Sequence, residues 1–239
     1  MAEIKTRTSE LKHQKMGTYL KDMVYGANDG LVTTFAVIAG VAGAALDPII
    51  IVFLGLANLF ADGFSMAASS FLAARSESDV FKREKEVEHW EVAHQPHFEK
   101  NEIKEILAKH GYSGADLEEM TNLVVKNKKF WIDLMMHEEL GLVPVDRARP
   151  LKGASVTFAA FVITGFMPVA PFFFVQADKK AFWISSVVAG LMFFLVGALR
   201  TIFTKRFWVW SGIEMFFVGG FAASISYGVG FLIRAAIGY

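Results

Sequence analysis

The chain alternates long apolar runs with one charged stretch. A first apolar block runs from about Met23 to Leu46 and holds no charge for more than ten residues after Asp29. Asp47-Pro48 breaks it, as such pairs do. A second block runs from about Ile49 to Ala74, interrupted only by Asn58 and Asp62. Three more follow: Gly153 to Ala177, with Pro168 and Pro171 predicting a kink; Ala181 to Leu199; and Phe207 to Ile233, with Glu214 inside it. A helical span needs about 20 apolar residues at about 1.5 Å rise each. Residues 76–150 contain no run of that length. They show helical periodicity instead: Val80, Glu84 and Val87 share one face and Ile103, Ile106 and Leu107 another. Gly111 and Gly114 punctuate the stretch, and Ser113 or Asp116 is positioned to cap the helix that carries Leu117, Met120, Leu123 and Val124. The pattern predicts an all-α polytopic membrane protein with five transmembrane helices and a helical insert of about three helices between helices 2 and 3; the residues below make the expected insert cytosolic and metal-binding. Its divisions are a cytosolic N-terminal tail (1–21), helices 1–2 (22–75), the insert (76–150) and helices 3–5 (151–239).

Composition sharpens this picture. Of 239 residues, 54% are hydrophobic and 23 are Phe, more apolar surface than a water-soluble chain of this size can bury. The net charge is zero, so nothing points to nucleic acid. There is no cysteine, which excludes disulfides, thiolate metal sites and thiol catalysis. Any metal must be held by carboxylates, imidazoles, amides or thioethers.

Basic residues set the orientation. The tail carries Lys5, Arg7, Lys12, Lys15 and Lys21. The insert carries Arg75, Lys82 and Arg83 at one end and Arg147, Arg149 and Lys152 at the other. The loop after span four carries Arg200, Lys205 and Arg206. With five spans all of these share one side, and the opposite loops hold only Lys179 and Lys180. The N-terminus and insert are therefore expected in the cytosol. Met1 to Lys21 lacks the apolar core of a signal peptide, so the spans themselves are expected to drive insertion.

A carboxylate in hydrocarbon is costly and marks a functional or paired position. Asp29 lies in Gly26-Ala27-Asn28-Asp29-Gly30, either as an interfacial helix cap or as part of an ion path. Asn58, Asp62 and Met66 recur every four residues, so they stack on one face of span two, with Ser65 beside them. Carboxylate, amide oxygen and thioether together suit a borderline-soft cation better than Mg²⁺ or Ca²⁺. The alternative is that Met66 only packs and Asp62 pairs with a base on another helix. Glu214 reads as a structural partner of Arg200 or Arg206, or as a proton relay, and Arg234 as a snorkelling side chain.

The insert holds two carboxylate pairs with i, i+3 spacing, Glu88 with Glu91 and Glu99 with Glu102. His94-Gln95-Pro96-His97 lies between them and is placed to turn the chain and bring the pairs together. Met135-Met136-His137-Glu138-Glu139 follows, adding Glu138 or Glu139 and a soft methionine ligand, with His94 a further candidate. Converging carboxylates bind hard or borderline divalent cations. The alternative is a solvated acidic face interleaved with Lys.

These residues resemble the vacuolar iron transporter family. Gly26-Ala27-Asn28-Asp29-Gly30-Leu31-Val32-Thr33 is similar to its first-span motif and Asp62-Gly63-Phe64-Ser65-Met66-Ala67 to its second. Trp131-Ile132-Asp133-Leu134-Met135-Met136 followed by Glu139-Leu140-Gly141-Leu142 resembles its insert signature, and Pro168 with Pro171 fits its third span. The resemblance covers nearly the whole chain. It implies a five-span homodimer that exchanges cytosolic Fe²⁺, and often Mn²⁺, for protons. It also implies Asp29 and Met66 as path residues and Glu88, Glu91, Glu99, Glu102, Met135 and Glu139 as insert ligands. Plant members typically carry glutamate where this chain has Asn58; here the carboxylate stands one turn later, at Asp62.

The expected function is therefore transport of Fe²⁺, with Mn²⁺ as a second substrate, out of the cytosol by proton antiport. The metal is substrate and insert ligand; no cofactor is permanently bound and no enzymatic activity is expected. The compact chain suits a bacterial-type member in an inner membrane, or a vacuolar membrane if the source is eukaryotic. The rivals are a membrane-anchored di-metal carboxylate enzyme, which would leave the polar stripe of span two without a purpose, and a metal sensor. Small residues such as Gly40, Gly43 and Ala44 permit close helix contact.

Overall fold

The computed structural model describes residues 2–144, 149–175, 179–201 and 207–238, with side chains from Tyr19 onward except Lys179. Ala177, Arg147, Lys205 and Arg206 lie outside the described residues, as do the side chains of Lys5, Arg7, Lys12, Lys15 and Lys179. Every regular element among the described residues is a helix: α1 (Ala2–Gly43), α2 (Pro48–His94), α3 (Pro96–Lys109), α4 (Gly114–Lys126), α5 (Lys128–Glu138), α6 (Arg149–Val169), α7 (Pro171–Phe174), α8 (Lys179–Leu199) and α9 (Trp208–Ile237). The chain divides into two compact units, residues 1–71 with 151–239, and residues 72–150.

The first unit is a polytopic membrane domain. Five helices are long and apolar enough to cross a bilayer, with spans at Tyr19–Gly43, Pro48–His94, Arg149–Val169, Lys180–Leu199 and Trp208–Ile237. In hydrocarbon the backbone must satisfy its own polar groups, which leaves helices as the available form for such segments. Large apolar side chains such as Phe53, Phe64, Trp183, Trp210 and Phe221 point outward, as only lipid or another apolar surface would allow. α1 runs unbroken through residue 21, so the tail read from the sequence is helical and continuous with the first span. The turn between α1 and α2 follows from Asp47-Pro48. The Asp47 Oδ1 accepts from the Ile49 amide at 2.9 Å, and Pro48 opens the helix where no amide donor is required. At Pro168 and Pro171 the third span breaks: α6 stops at Val169, the short α7 follows, and the Ser185 hydroxyl donates to the freed Pro168 carbonyl at 2.6 Å.

Small residues let these helices touch backbone to backbone. On α1, a Cβ at Gly26 would strike the Thr157 carbonyl of α6, and one at Gly30 the Phe161 carbonyl. The Thr164 hydroxyl reaches from α6 to the Ala27 carbonyl at 2.9 Å. Farther along, Gly43 meets the Tyr227 backbone of α9, Gly40 lies against Ser226, and Gly230 of α9 meets the Gly40 carbonyl. The Ser226 hydroxyl ties this crossing with a 2.6 Å bond to the Ala36 carbonyl. Gly40 and Gly43, read from sequence as permitting close helix contact, make that contact with α9.

The second unit packs the later part of α2 with α3, α4 and α5 around Val92, Ile103, Ile106, Leu107, Val124, Trp131, Ile132, Met135 and Met136. Gln95 leaves helical geometry (φ −128°, ψ 44°) because Pro96 crowds the residue before it, so α2 ends and α3 starts afresh. Gly111 (φ 94°), between α3 and α4, and Gly114 (φ 58°), which opens α4, occupy left-handed backbone, and Asn127 caps α5 by accepting from the Phe130 amide at 3.2 Å.

The α1–α6 contact predicts that Gly30→Val lowers the thermal stability of the detergent-extracted protein, with an overpacking cost of about 1–3 kcal/mol. Gly220→Ala, where nothing lies within 4 Å of the added carbon, leaves it unchanged or slightly raised. Fluorescence-detected size exclusion after graded heating separates the two.

Candidate metal-binding and transport sites

The turn at Gln95-Pro96 folds α3 back so that the carboxylate pairs of α2 and α3 meet. Glu88, Glu91 and Glu99 each offer an oxygen, and these oxygens lie within 4.8 Å of one another. Glu88 and Glu99 are 3% exposed, and one oxygen of each is buried without any hydrogen-bond partner. Such an atom costs on the order of 1–3 kcal/mol, more when charged. A proton or a cation removes that cost. The carboxyl of Glu88 is pushed up to about 7 by burial first, then by the charges of Glu139, Glu99, Glu91 and Glu102. Burial and Glu102, Glu91 and Glu139 raise Glu99 to about 7 as well. Glu102 and Glu139 are raised, each chiefly by burial and then by Glu91 among others. The acidic groups therefore act on one another as a single cluster of five.

Met135 is fully buried in the insert core one helical turn before Glu139. Glu138 does not join the cluster. Its side chain is taken by His110, at 3.4 Å, and by His137, at 3.1 Å. His94 also stands apart: its Nδ1 donates to the Trp90 carbonyl at 2.8 Å and its ring stacks on Trp90 with centroids 4.6 Å apart.

In the membrane unit, α6 sets the level of the second candidate site. Gly30 of α1 and Gly63 of α2 both lie against Phe161, which is fully buried; a Cβ at Gly63 would sit 3.2 Å from its ring. Asp29 and Asp62 each precede one of these glycines, and their charges interact. Asn58 and Met66 are half-buried on the Asp62 stripe, while Asp62 and Ser65 are exposed. The Asn58 amide nitrogen and the Asn28 amide oxygen are buried without a partner. Asn28 was not singled out from sequence, although the Gly26–Gly30 motif contains it. Glu214 is placed elsewhere, in a 3.0 Å ion pair with Arg200, which agrees with its reading as a structural residue.

The raised carboxylates fix the sign of a pH effect. Their protonated forms are favoured in the folded protein, so their contribution is fully present below the ordinary carboxylate range and is lost as pH rises through about 7. The metal-free protein in detergent is expected to melt several degrees lower at pH 8 than at pH 5, followed by tryptophan fluorescence. Glu88→Gln should flatten that dependence, and Mn²⁺ should restore stability at pH 8 by replacing the protons.

With this geometry in place, the comparisons with known proteins are informative. The model of the VIT family matches residues 20–231. A vacuolar iron transporter of Toxoplasma gondii is 38% identical over 229 residues, covering 92% of this chain and 76% of that protein. Vacuolar iron transporter 1 of Arabidopsis thaliana is 33% identical over 216 residues, covering 90% and 86%. A vacuolar iron transporter of Plasmodium falciparum is 28% identical over 224 residues, covering 90% and 82%. These relatives are eukaryotic, and the expectation of a bacterial-type member is not borne out. The family is one of transporters and not of enzymes, which sets aside the di-metal enzyme. The matched region spans all five membrane helices and the insert between them: the chain belongs to the VIT family.

Proposed function

We propose that this protein carries Fe²⁺, with Mn²⁺ as a second substrate, out of the cytosol in exchange for protons, working as a homodimer. The observation that carries the reading is the pair Asp29 and Asp62, held at one level beside Phe161 in segments otherwise almost free of charge. Two carboxylates in hydrocarbon are tolerated where a cation or proton shares the site. A bare dication in the same place is equally prohibitive, so each neutralises the other. Met66 and the half-buried Asn58 extend the stripe with thioether and amide ligands, which favours Fe²⁺ and Mn²⁺ over Mg²⁺ and Ca²⁺.

Capture begins at Glu88, Glu91, Glu99, Glu102 and Glu139, where the incoming ion displaces protons from the buried carboxyls. Met135, buried one helical turn before Glu139, supplies a thioether. The ion then moves to Asp29, Asp62 and Met66, and protonation of these carboxylates from the far side releases it. The basic residues flanking the spans support an orientation with the N-terminus and insert in the cytosol. Asp62 is exposed on the single chain, a poor arrangement against lipid; a second copy covering that face supports the homodimer.

Proteoliposomes test this reading. Fe²⁺ and Mn²⁺ uptake is expected to rise with an imposed pH gradient and to fall on the order of tenfold or more in Asp29→Ala and Asp62→Ala. Undiminished flux in both variants would overturn the path, and flux indifferent to the gradient would overturn the antiport. Glu88→Gln combined with Glu99→Gln should raise the concentration for half-maximal flux and leave the maximal rate less affected.

A further inference from the structure

The insert carries a second constellation that the acidic cluster does not use. His110 ends α3 at its C-cap and Glu138 is the last residue of α5. The His110 Nδ1 lies 2.9 Å from the Ile106 carbonyl. A carbonyl has no proton to give, so Nδ1 carries the hydrogen and, in the neutral ring, Nε2 carries the lone pair. That lone pair faces the Glu138 Oε2 at 3.4 Å. Two electron-rich atoms face each other, and something positive belongs between them. A proton on Nε2 would make this a long ion pair, beyond the about 2.7–2.9 Å of a close charge-assisted bond. A metal ion matches the separation. Ligands at about 2.0–2.1 Å in a tetrahedral shell stand about 3.3 Å apart.

The surroundings support the same occupant. The other Glu138 oxygen, Oε1, accepts from the His137 Nδ1 at 3.1 Å, which turns Oε2 toward His110. Each facing atom thus has a partner behind it, the Ile106 carbonyl for His110 and the His137 ring for Glu138. Metal-ligating imidazoles and carboxylates are oriented in this way. The side chains of His110 and Glu138 are 55% and 29% exposed, so water can complete the shell and an ion can enter. We infer that His110 and Glu138 form an accessory site for a borderline divalent cation of the Zn²⁺ class, distinct from the acidic cluster, that ties the end of α3 to the end of α5. Imidazole ligation widens the preference for Zn²⁺ and Co²⁺ over Mn²⁺ relative to an all-carboxylate site.

The test uses the full chain in detergent and Zn²⁺ as the probe, titrated calorimetrically. In a Glu88→Gln, Glu99→Gln background one equivalent of Zn²⁺ should still bind, and its X-ray absorption spectrum should carry imidazole scattering. Adding His110→Gln should abolish that equivalent, and adding His137→Gln should weaken it on the order of tenfold. No residual equivalent in a folded double variant overturns the proposal, and so does residual binding indifferent to His110→Gln. If the double variant does not fold, wild type and His110→Gln are compared directly. The stoichiometry should then fall by one, and an unchanged stoichiometry overturns the proposal.

Discussion

A carboxylate taken from water needs a counter-charge, and the two candidate sites follow from that requirement. Buried oxygens of Glu88 and Glu99 have no hydrogen-bond partner among the described residues. Burial is the largest cause of the upward shift of every cluster member that shifts. Two lysines of the same unit are committed elsewhere, Lys85 to Asp133 and Lys104 to Glu118. The cluster is left to be neutralised by protons or by an ion. In the proposed reading, that competition links metal capture to pH.

The membrane unit meets the same requirement by different means. Its helices approach closely where glycines remove the side chain, and the contact surfaces so formed fix how each helix is rotated. Gly30 and Gly63 both turn toward Phe161. Residues one step earlier are therefore brought to a common level, which is why Asp29 and Asp62 act on each other from two different helices. Hydroxyls of Thr164 and Ser226 lock the neighbouring crossings by donating to carbonyls of α1. The polar stripe is held by apolar packing behind it.

The insert shows how one helical step separates two chemistries. Glu138 and Glu139 are adjacent and differ by about 100° around α5. Glu139 faces the carboxylates of α2 and α3, whereas Glu138 faces His110 and His137. In the proposed reading, a run of ligand-type residues serves two sites, one of oxygen donors and one with imidazole.

The sequence by itself determined the spans, the break at Asp47-Pro48, the interruption at Pro168 and Pro171, and the meeting of the two Glu pairs. These depend on local matters: the length of an apolar run, the missing amide of proline, the i, i+3 spacing on a helix. Only the tertiary structure decided which ligand-type residues act together. Glu138 and His94 carry the right chemistry but face His110 and Trp90. Gly40 and Gly43 permit close helix contact by composition, but that α9 is the partner is set by the fold. Asn28 and Phe161 became visible only through what surrounds them. Helix rotation is set by contacts between residues more than a hundred positions apart, as with Gly30 and Phe161, and periodicity within one helix carries no record of those contacts.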